Sequence, residues 1–300
     1  MRSSLSDLAC SRKKIEMVHL DSAMRISCSV VCYQNSFEQI TRVLRSVIAS
    51  SINVSLYLID NSPNDKLASV AQQFGAIYIH LPDNPGFGAA HNVAIQDALK
   101  KGVAYHLVLN PDVYFSADVV PTLLDYMEQH QAVGLVAPGV YYSDGRQQHL
   151  CKLLPRPGDL LMRRFCPALY RSSGRLALYE LHASGYDKIM DVPVLSGCFM
   201  LIRAAVLDEI GGFDQRFFMY LEDVDLSRRI GQVARTVYFP HVTIIHDYGK
   251  GSYKAMKLLF YHVRSAIQYF NKWGWFLDTK RDVINTATIK KILSVKNIVE

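Results

Sequence analysis

Between residues 26 and 137, short apolar runs alternate with longer amphipathic ones, and this pattern limits the architecture more than any other feature of the chain. The runs at 26–33, 54–60, 77–81, 106–109 and 133–137 have the length of strands and are apolar enough for burial. Between them, residues 37–49 put Ile40, Val43, Leu44, Val47 and Ile48 on one helical face. Residues 89–100 read as a second helix, and 119–129 as a third with Leu123, Leu124 and Met127 turned inward. Helical crossovers of this length join parallel strands. The expected class is therefore α/β, a Rossmann-like, mostly parallel central sheet flanked by helices. Such sheets bind ligands beyond the carboxyl ends of their strands. Polar residues collect there: Gln34-Asn35, Asp60-Asn61, and Asn110 with Asp112.

Residues 140–192 break the rhythm. Pro155, Pro157 and Pro167 stand with Arg156, Arg163, Arg164, Arg171 and Arg175 among Leu160, Leu161, Met162 and Phe165, an irregular insertion both basic and apolar. Strand character returns at 192–202 and 236–239, and residues 253–273 read as an amphipathic helix. The formal charge of +6 is uneven: residues 250–300 hold ten Lys/Arg against three Asp/Glu, or +7, which leaves about −1 for residues 1–249. A basic end on a near-neutral body suits either a membrane surface or simple solvation. No nucleic-acid-binding module accompanies it, so no nucleic-acid partner is expected. No run approaches the roughly 18–20 apolar residues of a membrane span. The six cysteines form no CxxC pair and read as free thiols in a reducing compartment. Residues 1–23 lack the apolar block of a signal peptide and read either as a disordered extension or as residues ahead of a start at Met24, and the expected location is cytoplasmic.

Five motifs carry chemistry. The run Gly211-Gly212-Phe213-Asp214 through Glu222-Asp223-Val224-Asp225 delivers adjacent carboxylates to a helix start, with Leu226, Ile230 and Val233 as the stripe of that helix. Acids there either cap the helix or, held ionised at a pocket wall, take a proton from a hydroxyl. Asn84-Pro85-Gly86-Phe87-Gly88-Ala89-Ala90-His91-Asn92 puts two glycines at a helix mouth, where backbone can approach a phosphate. Asp60-Asn61-Ser62 is either a turn or a base and ribose contact. Asn110-Pro111-Asp112 is either a strand-terminating turn or an oxygen ligand for a divalent cation. His246, ahead of Asp247-Tyr248-Gly249-Lys250-Gly251-Ser252, is a structural imidazole or a ligand of metal or phosphate.

In this order, together with Val30-Val31-Cys32-Tyr33-Gln34-Asn35 and Ser196-Gly197-Cys198-Phe199, the motifs resemble the family 2 glycosyltransferases of the GT-A type, in particular the rhamnosyltransferase-like enzymes of bacterial lipopolysaccharide O-antigen and surface-polysaccharide synthesis. The resemblance covers about residues 25–265. It implies a GT-A domain over 24–252, with a nucleotide-sugar half at 24–138 and an acceptor half at 139–252, then a basic helical tail at 253–300. By position it makes Asp223 the catalytic base, with Glu222 orienting it or the acceptor. Tyr33, Asn35, Asp60, Asn61, Gly86, Phe87, Gly88, Asn92, Asn110 and Asp112 would bind the nucleotide sugar, and Gly197 and Cys198 would line the acceptor side. Asp112 and His246 would meet a divalent cation, Mg²⁺ or Mn²⁺. Asn110 replaces the first acid of the family's Asp-x-Asp signature, a departure that favours the rhamnosyltransferase branch and thins the metal shell. The implied donor is dTDP-rhamnose and the implied acceptor a glycan on polyprenyl diphosphate, at the inner face of the cytoplasmic membrane. The alternatives are a UDP-hexose donor or a non-catalytic sugar-nucleotide binder. A sugar nucleotidyltransferase would need a glycine- and arginine-rich loop where this chain has Tyr33-Gln34-Asn35-Ser36-Phe37.

Overall fold

The computed structural model describes residues 26–247 and 256–296. The expected extension at 1–23, the stretch from Tyr248 to Ser252 and the start of the helix expected at 253 lie outside the described residues. Four parallel strands, β1 (Ile26–Cys32), β2 (Val54–Asp60), β3 (Ile77–His80) and β4 (Tyr105–Leu109), lie in the order β3-β2-β1-β4. Every residue of β1 is buried, because helices cover both of its faces. Cys28 and Val30 pack with Ile40, Val43 and Leu44 of α1 (Phe37–Ala49). Val31 packs with Ala90 and Ala94 of α3 (Phe87–Lys100), and α2 (Ala68–Gln73) lies between β2 and β3 in the chain. On the α3 face, Ser29 Oγ sits 2.7 Å from His91 Nδ1 and 2.8 Å from His106 Nε2, and Ser27 Oγ sits 2.7 Å from His106 Nδ1. Burial holds both imidazoles far toward the neutral form; His106 is pushed down to about 3. The serines and His106 on this apolar face bond to one another, which lowers the cost of burying them, while His91 Nε2 stays buried without a hydrogen-bond partner.

Beyond β4 the sheet turns mixed. β8 (Phe199–Arg203) runs antiparallel to β4 and to β6 (Val133–Tyr141), and β9 (Arg235–His246) runs parallel to β6. β5 (Val113–Phe115) and β7 (Met190–Asp191) pair antiparallel with β9. α4 (Val119–Gln129) spans the residues expected of it. The final strand is much longer than 236–239: it continues past Pro240 through a shift of register between Pro138 and Gly139 of β6, since a bulge accommodates a residue without an N–H. Conversely, the strand expected at 192–202 exists only from Phe199. Pro193 interrupts it, and Leu195 bonds to the Ser227 hydroxyl through both its N–H and its carbonyl instead of joining a ladder.

The insertion is more regular than its prolines suggest. It forms α5 (Pro157–Phe165), α6 (Pro167–Ser172) and α7 (Arg175–Tyr179). Pro157 and Pro167 begin helices, where a missing N–H costs nothing. After α8 (Ala204–Ile210), α9 (Glu222–Ile230) ends before the expected Val233. The tail folds as α10 (Met256–Trp273) and α11 (Thr279–Lys296). Tyr269 and Phe270 bury against Phe217 and Val224, and Arg228 meets Asp278 with two bonds of 2.8 Å out of solvent. All five described cysteines are free thiols.

Candidate active site

The carboxyl ends of β1, β2 and β4 form one wall of a cleft of about 640 Å³. Tyr33 and Asn35 stand where β1 gives way to α1, in a turn fixed by the Ser36–Gln39 capping box. Its reciprocal bonds are both 3.2 Å long, and a box of this kind stabilises a helix start by about 1 kcal/mol. Asn61 and Asn84 complete this side, and the Asn61 Oδ1 is buried without a hydrogen-bond partner. At the end of β4, Asn110, Pro111 and Asp112 enter the same cleft.

The opposite wall is the turn that carries the acids. Tyr220 and Leu221 both take left-handed backbone angles, φ +71° and +65°, immediately before α9. Such strain costs about 1–3 kcal/mol per residue and persists only where neighbours hold it. Here many do. Phe87 N–H donates to the Phe218 carbonyl at 3.0 Å, and Ser265 Oγ donates to the Met219 carbonyl at 2.8 Å. Lys272 pairs with Asp214 at 2.7 Å. The result is that Asp223 faces the cleft with both oxygens fixed: Gly197 N–H donates to Oδ2 at 3.1 Å and Val224 N–H to Oδ1 at 2.8 Å. A Cβ on Gly197 would lie 3.3 Å from the Asp223 Cβ, so the small residue permits this contact.

Of the neighbouring acids, Glu222 lines the same cleft and Asp225 does not. Glu222 is buried, and its Oε2 has no hydrogen-bond partner. Burial, followed by the charge of Asp223, pushes its carboxyl up to about 8, so it holds a proton at neutral pH. Asp225 points away into a cage of Arg229 at 2.8 Å, Lys272 at 2.7 Å and the Trp273 indole at 2.7 Å.

Several residues expected at the nucleotide make specific contacts within the protein. Asp60 is wholly buried; Ser62 N–H and Tyr78 Oη donate to its two oxygens at 2.9 Å each, so it braces the wall from behind. Gly86 and Gly88 serve close packing of protein on protein. A Cβ on Gly86 would come 2.3 Å from the Phe218 carbonyl oxygen, and one on Gly88 2.8 Å from the Phe213 Cβ. Asn92 clamps Phe213, accepting from its N–H and donating to its carbonyl, both at 2.8 Å. These residues dock the acid-bearing turn onto α3, and Phe87 alone of that loop's expected four reaches the cleft. Gly197 and Cys198 do line it, beside Asp223.

Among the described residues no group of three or more His, Cys, Asp or Glu side chains converges as a ready-made metal site. Asp112 Oδ1 is nevertheless buried without a hydrogen bond, 3.4 Å from His246 Nε2. An orphaned carboxylate oxygen beside an imidazole fits a cation that takes its remaining ligands from a diphosphate.

Sequence reasoning missed the walls that come from far along the chain. Lys257, Leu258 and Tyr261 of α10 close the cleft, and a second chamber of about 700 Å³ adjoins it, sharing Asn110, Ser196, Tyr220 and Leu258. No local signal marked either.

The profile of the family described as "Glycosyl transferase family 2" matches residues 27–211. The chain belongs to glycosyltransferase family 2. This glycosyltransferase is 29% identical over 247 residues to the N-acetylglucosaminyl-diphospho-decaprenol L-rhamnosyltransferase of Mycobacterium tuberculosis, covering 76% of the chain and 79% of that protein. It is 25% identical over 243 residues to the rhamnosyltransferase WbbL of Escherichia coli K12, covering 77% and 88%. Its fold matches the mannosyltransferase PcManGT from Pyrobaculum calidifontis, solved with GDP-Man and Mn²⁺, with a TM-score of 0.53 at 14% identity over 91% of this chain and 77% of that one. It also matches S. aureus TarS 1-349, with a TM-score of 0.52 at 17% identity over 74% of this chain, and spans 60% of that structure. The glycosyltransferase has the GT-A fold. No helix among the described residues is long and apolar enough to cross a membrane.

Proposed function

We propose that this glycosyltransferase moves L-rhamnose, with inversion, from dTDP-rhamnose to a sugar carried on polyprenyl diphosphate. One arrangement supports the reading most: Asp223, both oxygens held by backbone N–H groups, stands in the same cleft as Asp112 at the end of β4. The named relatives supply the choice of rhamnose and of a lipid-linked acceptor.

In this mechanism the nucleotide lies on the strand-end wall against Tyr33, Asn35, Asn61 and Asn84. The acceptor hydroxyl sits at Asp223. Its oxygen bonds to the anomeric carbon, its proton passes to Asp223, and the bond from that carbon to the diphosphate breaks on the opposite face. Glu222, holding its own proton, places no second negative charge beside the base. A divalent cation held by Asp112 and His246 would neutralise charge on the departing diphosphate. The Gly197 N–H keeps Asp223 aimed while the acceptor enters.

Peripheral attachment to the cytoplasmic face of the membrane belongs to the same reading. Leu161, Phe165, Leu169 and Leu178 on α5–α7 are each more than half exposed, beside the arginines of those helices. An apolar face with cations suits an anionic bilayer. The test is a panel of nucleotide sugars, with and without Mn²⁺, offered with a short-chain prenyl-diphosphate-linked N-acetylglucosamine. Release of dTDP with transfer from dTDP-rhamnose is expected; turnover of UDP-glucose or UDP-galactose in its place would reassign the donor. Flotation with phosphatidylglycerol vesicles tests the attachment, and indifference to anionic lipid would remove it.

A further inference from the structure

The second chamber has a character opposite to the first. Lys152, Arg163, Arg164 and Arg171 line it against one carboxylate, Glu180. The Lys152 ammonium has no ion-pair partner among the described residues, and the one described bond of the Arg171 side chain is to the Pro167 carbonyl at 3.3 Å. The field of these cations is felt inside the chamber. His262 is pushed down to about 4, by burial and then by Arg163 and Arg164. Lys152 is lowered by burial and then by Arg163, and raised by Asp223 and Glu180, which places it within electrostatic reach of both the arginines and the catalytic base. Cations gathered in a concave, partly apolar space favour an anion, because low-dielectric walls strengthen the attraction.

The connection between the chambers narrows the choice of anion. Ser196 and Tyr220 belong to both walls, so an acceptor sugar at Asp223 would continue into the basic chamber. Leu160, Leu176 and Leu258 line that chamber too, and the exposed Leu161, Phe165 and Leu169 lie on the helices that supply the arginines. The matching ligand has a sugar, then a strongly anionic group, then an apolar tail.

We infer that the chamber formed by Lys152, Arg163, Arg164 and Arg171 binds the diphosphate of a prenyl-diphosphate-linked acceptor and thereby sets which sugar hydroxyl meets Asp223. This rests on the reading of the cleft as a glycosyl-transfer site with a lipid-linked acceptor. In that reading the donor's diphosphate lies on the Asp112 side; His246, 3.4 Å from Asp112, also lines the basic chamber, so the two diphosphates would be neighbours. Arginine forks bind phosphate oxygens in pairs, and each charge-assisted bond is worth about tenfold in affinity.

The test is calorimetric titration with farnesyl diphosphate, a soluble prenyl diphosphate, which needs no turnover. The wild-type protein is compared with Arg171→Ala, Lys152→Ala and Arg164→Ala/Arg171→Ala. Arg171 is exposed, so its replacement leaves the fold intact even if Lys152→Ala does not fold. Affinity is expected to fall about tenfold for Arg171→Ala and further for the double variant, with Arg171→Lys recovering most of the loss and dTDP affinity within twofold throughout. No binding by the wild-type protein, or equal binding by the variants, overturns the inference. So does a parallel loss of dTDP affinity, which would give these cations to the donor. Loss of binding to phosphatidylglycerol vesicles with farnesyl diphosphate affinity intact also overturns it, since the ligand would then be a lipid headgroup. If farnesyl diphosphate binds as expected while no nucleotide sugar is turned over, the reaction proposed above falls and the chamber's ligand stands.

Discussion

The strand-end wall of the cleft and the acid-bearing wall are built in opposite ways. Tyr33, Asn61 and Asp112 sit at the ends of buried strands whose ladders and two-sided packing place them whatever the rest of the chain does. Asp223 sits after two strained residues, in a turn placed by contacts borrowed from α3 and α10. A sheet edge positions side chains through many cooperative backbone bonds; a turn does so only through the particular neighbours that clamp it. The acid wall should therefore be sensitive to changes remote from the chemistry, and the strand-end wall much less so.

The largest effect tests which acid acts. Asp223→Asn is expected to lower kcat by about 10²–10⁴-fold with nucleotide affinity little changed; equal turnover would take the base away from this wall. Next comes the clamp. Gly86→Ala puts a methyl group 2.3 Å from the Phe218 carbonyl at φ +99°. It is expected to cost about 2–4 kcal/mol in urea unfolding and to lower transfer at saturating donor. Loss of stability with normal turnover would mean that the acid wall does not depend on this loop.

Acid should strike the sheet behind the strand-end wall, through the two histidines buried between it and α3. Folded His91 and His106 resist protons that the unfolded chain accepts below about pH 6.5, so stability falls as pH drops through that value toward 3. The slope is at most about 1.4 kcal/mol per pH unit for each histidine. Replacing His106 by Gln should flatten the decline in denaturation midpoint between pH 7 and pH 5. The smallest effect is at Glu222. Because it is protonated, Glu222→Gln should change kcat less than about threefold at pH 7 and remove any titration of activity near pH 8. A loss comparable to that of Asp223→Asn would show instead that a second carboxylate is needed.

The alternation of strands and helices, the strand ends that carry Asn61 and Asp112, and the acid pair at a helix start were all legible in the linear chain, because period and local turn chemistry are properties of neighbouring residues. The role of Gly86, Gly88 and Asn92 was not: a glycine that admits a phosphate and one that admits Phe218 or Phe213 read alike until the partner is in place. That Tyr78 bonds the Asp60 carboxylate was equally invisible, because the two lie on different strands. Glu222, Asp223 and Asp225 occupy one short stretch of chain, yet packing makes one a neutral acid, one a half-buried carboxylate facing the cleft and one the centre of a cationic cage. Lys152, Arg163 and Arg171 come together from the insertion around a cavity that no spacing announces. Sequence alone determined which elements form and which atoms their ends carry. Folding decided which of those atoms meet a ligand and which are spent on one another, because burial and charge pairing depend on segments far apart in the chain.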